Sequence, residues 1–225
     1  MRVVVDGFSM SIHGGTGIAT YSQNLSRTLA ELGHEIGILT GKDLRAPREA
    51  ILDEVLLYDN EEVGRRTSRP GRLIDAFLLR GQSFVDSLLP PMGSRAREVR
   101  LSGQVIQPTT GPSRLPPGAK VYNVRRLYKY ANLRFALLRR PITVRMNPAP
   151  DVVHWTIPLP IRVEGARNVY TIHDLIPLKL PYTTLDRKDV YYGMCKWIAD
   201  SADLLCTVSD TTRADVLSLL GPDER

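Results

Sequence analysis

Three of the four histidines in this 225-residue sequence stand where an apolar, β-branched run ends. His154-Trp155 follows Asp151-Val152-Val153, His173-Asp174 follows Val169-Tyr170-Thr171-Ile172, and His13 opens a glycine loop beyond Val3-Val4-Val5. An imidazole can move protons or hold a hydrogen bond near neutral pH. In open α/β sheets the ligand crevice lies beyond the carboxyl ends of the strands. Three histidines on that rim therefore point to one site. Ser209-Asp210, after the run over 203–208, adds a fourth strand end, whereas His34 precedes a strand and reads as structural. The loop His13-Gly14-Gly15-Thr16-Gly17 lets backbone approach a ligand, and a helix start beyond it favours an anion such as phosphate. Taken alone, these glycines also fit a simple tight turn.

Several chemistries are disfavoured. A dinucleotide fingerprint needs a third Gly or Ala and an acid ending the next strand. Here Thr20 stands at the former position and Thr40-Gly41-Lys42 follows the second strand, so an NAD site is unsupported and an NADP site using Lys42 is the weaker enzymatic rival. No H-x-x-x-H or C-x-x-C spacing suggests a metal, and no G-x-S-x-G elbow suggests a serine hydrolase. No resident cofactor is expected.

The elements that must position these residues alternate. Strands are predicted over 3–5, 35–39, 50–58, 99–107, 151–155, 168–172 and 203–208. Ile18, Tyr21, Leu25, Leu29 and Leu32 mark one face of a helix that Gly33 closes. Further helices are expected over 73–89, 120–140, from a Thr183/Asp186 capping box to 201, and from Ser209 to Gly221-Pro222. Residues 60–69 and 108–118 read as turn and loop. This rhythm predicts an α/β fold, a Rossmann-like doubly wound, mainly parallel sheet in one domain over 1–225, with a basic helical insertion.

The chain is 43% hydrophobic, enough for one sizeable core. Cys195 and Cys206 sit in apolar contexts and read as reduced and buried in a cytoplasmic protein. No secretory signal and no run near the roughly 18 apolar residues of a membrane span is visible. The net charge of +6 is uneven: residues 65–145 carry 17 Lys or Arg against three acids. In the helix expected over 120–140, Val121, Val124, Leu127, Ala131, Phe135 and Leu138 form an apolar stripe, with Arg125, Arg126, Lys129 and Arg140 mostly opposite. Such a face can lie on an anionic membrane, although an ordinary solvated helix face has the same pattern. No nucleic-acid module is recognisable, and no nucleic-acid partner is expected.

The segments His13-Gly14-Gly15-Thr16-Gly17-Ile18-Ala19-Thr20-Tyr21, Thr171-Ile172-His173-Asp174-Leu175-Ile176-Pro177 and Thr207-Val208-Ser209-Asp210-Thr211-Thr212-Arg213 resemble the N-terminal half of a family 4 glycosyltransferase. The similarity covers about 1–42 and 150–221, while a basic segment of about 60–148 diverges. The glycine loop is weakly specific and the other two segments carry more weight.

The resemblance implies the acceptor-side half of a two-domain GT-B enzyme. Its reaction would be a metal-independent, retaining transfer from a nucleotide-sugar to a lipid-linked or polysaccharide acceptor in cell-surface glycan synthesis. His173 would contact the transferred sugar, and Asp174 would support that histidine or the acceptor. Residues 13–17 would face donor phosphates and acceptor, Tyr21, His154 and Trp155 would line the acceptor side, and Ser209 would lie on the cleft floor. The family holds its nucleotide in a C-terminal domain that would begin where this sequence stops, at Gly221-Pro222. The expected partner is thus a donor-binding domain in cis or in trans, and the expected location the inner face of the cytoplasmic membrane. The rival from another class is a non-catalytic binding or regulatory module that kept the fold.

Overall fold

A computed structural model describes residues 1–9, 17–44, 49–58, 94–106, 115–185 and 187–221. The loop over 13–16, the helix expected over 73–89, the turn over 60–69 and Asp186 lie outside the described residues, as do parts of the loop over 108–118.

The first strand, β1 (Arg2–Asp6), is buried almost throughout. It leads through α1 (Gly17–Glu31) to β2 (Glu35–Thr40), with Gly33 at φ +82° making the turn between them. Then come α2 (Ala50–Tyr58), β3 (Arg97–Val99), β4 (Lys120–Asn123), α3 (Leu127–Leu138) and β5 (Ile142–Val144). The last third holds β6 (Val152–Trp155), β7 (Ile161–Val163), β8 (Arg167–Ile172), α4 (Ile176–Lys179), α5 (Lys188–Ser201), β9 (Leu204–Thr207) and α6 (Asp210–Leu220).

Seven strands form one sheet in the order β3-β4-β2-β1-β6-β8-β9, all parallel except β3 against β4. A small parallel pair, β5 with β7, stands apart. The chain winds outwards from β1 through β2 and β4, then returns to the other side of β1 with β6, β8 and β9. The boundary between β1 and β6 is therefore the point where strand order reverses, and the arrangement is compatible with a Rossmann-like fold. Helices cover both faces. Leu127 and Ala131 of α3 and Ile198 of α5 pack with Val4, Leu39, Val153, Trp155 and Tyr170. Leu29 and Ala30 of α1 pack with Val3, Val5, Ile36 and Ile38 on the other face.

Several sequence-based expectations change. The residues of α1 that bury are Ala19, Ser22 and Ser26, while Leu32 is 67% exposed. Ser22 Oγ reaches Thr156 Oγ1, just beyond β6, and each serine hydroxyl reaches the carbonyl four residues back. Residues 50–58 form a helix, not a strand. Asp53, Glu54 and Leu57 share its inward face. There Asp53 pairs with Arg97, and Glu54 accepts from the Ser102 and Gly103 amides. Of the strand expected over 99–107, only Val99 is strand among the described residues 99–106, at the end of β3.

The basic helix expected over 120–140 is divided. Its first four residues are β4, with Val121 opposite Ile38, because a β-branched and aromatic stretch fits the pleated sheet. Arg126 then takes φ 53° and the helix starts at Leu127. Residues 120–123 thus belong to the main sheet. The capping box at Thr183 is not formed: α5 starts at Lys188, with Arg187 at its N-cap and no side-chain cap. Ser209 does cap α6, its Oγ accepting from the Thr212 amide at 3.1 Å. Cys195 is buried, with its thiol pushed up to about 12 by burial, whereas Cys206 is only half-buried.

Candidate functional site

Strand alternation decides which residues can meet at the carboxyl rim. Along β6, His154 and Trp155 must face opposite sides of the sheet. Trp155 faces α3 and α5 and is completely buried, stacked on Tyr170 with its Nε1 donating to Asn168 Oδ1 at 3.2 Å. It is a core residue and does not line the acceptor side. His154 faces α1, on the side shared by Val5 and Thr171.

There, His154, Thr171 and Tyr21 form a triangle. His154 Nε2 lies 2.8 Å from Thr171 Oγ1 and 3.4 Å from the Tyr21 hydroxyl, which is itself 3.2 Å from Thr171 Oγ1. Burial, aided by the charge of His173, pushes the His154 imidazole down to about 4. At neutral pH it is an uncharged ring held by two hydroxyls, suited to polar ligand groups rather than to salt bridging.

His173 follows β8 and meets the same tyrosine, edge to face, with ring centroids 5.4 Å apart. Its Nε2 lies 2.8 Å from the carbonyl oxygen of Thr156, the residue after β6. Its own carbonyl accepts from Thr212 Oγ1 at 3.0 Å, which ties it to the turn capped by Ser209. Thus β6, β8, α1 and the start of α6 converge on one place beside the β1–β6 boundary.

The exposed carboxylate of Asp174 accepts from the Ile176 amide at 3.0 Å, in the turn that leads into α4. The described support of the His173 ring is the Thr156 carbonyl, not Asp174. Gly17 is the exposed first residue of α1, so the helix begins at this rim. Among the described residues, no three His, Cys, Asp or Glu side chains are grouped as a metal ion requires.

Neither a protein-family model nor a curated protein matches the chain.

Sequence reasoning passed over the residues beneath this rim. Asp6, at the end of β1, is wholly buried and accepts from the amide and hydroxyl of Thr156 and, at 3.1 Å, from the Phe8 amide. Burial pushes its carboxyl up, and the hydrogen bonds from Thr156 oppose that shift. An acid ending a buried parallel strand was the available signal. Tyr128 supports the same strand end, donating to the Leu39 carbonyl and accepting from the Gly7 amide. Only glycine fits at position 41, where a Cβ would lie 2.5 Å from the Tyr128 ring.

The expected membrane-facing cations have separate fates. Arg125 and Arg126, in the turn before α3, both clasp Asp43, whose carboxyl they help hold low against burial. Lys129 and Arg140 are exposed. Among the described residues no helix is long and apolar enough to cross a membrane.

Proposed function

We propose that this chain is the acceptor-side domain of a retaining, metal-independent glycosyltransferase. It would act with a donor-binding domain, in cis or in trans, to pass sugar from a nucleotide-sugar to a lipid-linked or polysaccharide acceptor. The observation that carries the reading is the convergence of Tyr21, His154, Thr171 and His173 beside the strand-order reversal. Uncharged imidazole and hydroxyl groups there offer donors and acceptors matched to sugar hydroxyls. The resemblance of 171–177 and 207–213 to family 4 glycosyltransferases supports the same reading, because those two segments carry His173 and the turn tied to it.

In this reading His173 contacts the transferred sugar, the glycine loop over 13–17 faces donor phosphates, and Tyr21 and His154 line the acceptor side. Exposed Lys129 and Arg140 would meet an anionic membrane surface. The test is a transfer assay with the chain and a donor-binding partner, using a panel of nucleotide-sugars and membrane lipid as acceptor. Transfer that requires both components is the expected result. Saturable glycan binding with no transfer in any combination would replace the enzyme by a binding module.

A further inference from the structure

We infer that Asp6 is a positioning residue which, through Thr156, determines the nitrogen that His173 presents to a ligand. Thr156 is fully buried at the β1–β6 boundary, and its hydroxyl donates to Asp6 Oδ2 at 2.7 Å. The Thr156 amide donates to the same oxygen, and Phe8 N–H donates to Oδ1. All three partners of Asp6 are donors, as an acceptor-only carboxylate requires. Ser22 Oγ lies 2.9 Å from Thr156 Oγ1 and 3.0 Å from the Ile18 carbonyl, which packs α1 onto the same threonine. Backbone and side chain of Thr156 are thus pinned together, and its carbonyl is left directed at His173.

A carbonyl oxygen only accepts, so His173 Nε2, 2.8 Å away, must carry the proton. In the neutral ring, Nδ1 is then the lone-pair acceptor, and no described residue is hydrogen-bonded to it. His173 therefore offers an acceptor to a ligand hydroxyl, whereas an anionic oxygen would find no donor there. Thr212 Oγ1 donates to the His173 carbonyl, so the residue is held through both its backbone and its ring. The catalytic consequence rests on the glycosyl-transfer reading, but the hydrogen-bond relay does not.

The test uses NMR of the ¹⁵N-labelled, ligand-free 225-residue chain at a pH where His173 is neutral. Long-range ¹H–¹⁵N correlations should assign the Nε2–H tautomer, with a slowly exchanging ring proton. Asp6→Asn cannot satisfy all three donors. It should speed exchange of that proton by about tenfold, the scale of one net hydrogen bond, with the remaining spectrum preserved. Should Asp6→Asn fail to fold, Thr156→Val and Thr156→Ser carry the same test: the valine speeds exchange and the serine, which keeps the hydroxyl, restores it. An Nδ1–H tautomer in the wild type would overturn the relay. So would unchanged exchange in folded Asp6→Asn, or equal exchange in the two Thr156 variants. With the donor-binding partner, Asp6→Asn should lower kcat more than it changes KM. The NMR result stands whether or not any transfer is detected, so failure of the relay and failure of the enzyme reading are distinguishable.

Discussion

The rim beside the β1–β6 boundary and the turn before α3 are both rich in functional-looking side chains, yet they use them in opposite ways. At the rim, His154 and His173 are held by hydroxyls and a carbonyl, and no described carboxylate pairs with either imidazole. In the turn, Arg125 and Arg126 converge on a single carboxylate, Asp43, and much of their charge is neutralised within the fold. The same holds for Arg97 with Asp53 and Arg145 with Glu164. A histidine whose ring is held by hydroxyls or a carbonyl remains usable by a ligand, whereas an arginine already paired with an acid is largely occupied.

The largest effect that could break this contrast concerns His173. In the assay with a donor-binding partner, His173→Ala should lower transfer about 10²- to 10⁴-fold with Tm little changed, and Arg125→Ala should stay close to wild type. Wild-type transfer by His173→Ala would end the assignment.

Neighbouring residues on β6 sharpen it next. Trp155→Ala should destabilise the domain by about 3–5 kcal/mol, read by urea denaturation, because it empties a core site. His154→Ala should instead act mainly on acceptor affinity. Equal stability losses would contradict the division of the two faces.

The third test is pH. His154 sits at about 4 in the fold, against 6.5 when unperturbed. Its folded pKa is depressed, so the folded state resists protonation and the stability contribution is fully present above pH 6.5. It is lost as pH falls from 6.5 to about 4, by on the order of 3 kcal/mol. Asp6, raised by burial, contributes the opposite slope at acidic pH. The difference between wild type and His154→Gln in Tm against pH isolates the histidine. Parallel curves would mean that His154 is not buried as described.

The smallest effect belongs to the arginine turn. Asp43→Asn should cost about 1 kcal/mol, as expected of a partly exposed ion pair, and release two guanidinium groups. Binding to anionic liposomes should then rise relative to wild type and fall steeply with salt. Unchanged binding would show that these arginines are not what limits membrane contact.

The separate legibility of these regions follows from how each signal arises. Strands β1, β2, β6 and β8 were readable because buried parallel strands need short apolar runs, β9 because it keeps such a run at the exposed sheet edge, and Ser209 because its hydroxyl caps a helix locally. Residues 120–140 misled because Val121, Val124 and Leu127 fit a helical spacing, while residues 120–123 pair with β2. Residues 50–58 misled because Asp53 and Glu54 are inward-facing yet charged, their partners Arg97 and Ser102 lying more than forty residues away.

By itself, the sequence determined an alternating α/β chain with His154 and His173 at strand ends, since hydrophobic periodicity and turn chemistry are local properties. Only the tertiary structure decided that His154 faces the site while Trp155 fills the core, and that Thr156 rather than Asp174 holds the His173 ring. It also decided that Asp6 anchors that threonine and that Arg125 and Arg126 are taken up by Asp43. Each of these depends on which strands become neighbours, and strand order is set by long-range packing that no local pattern encodes.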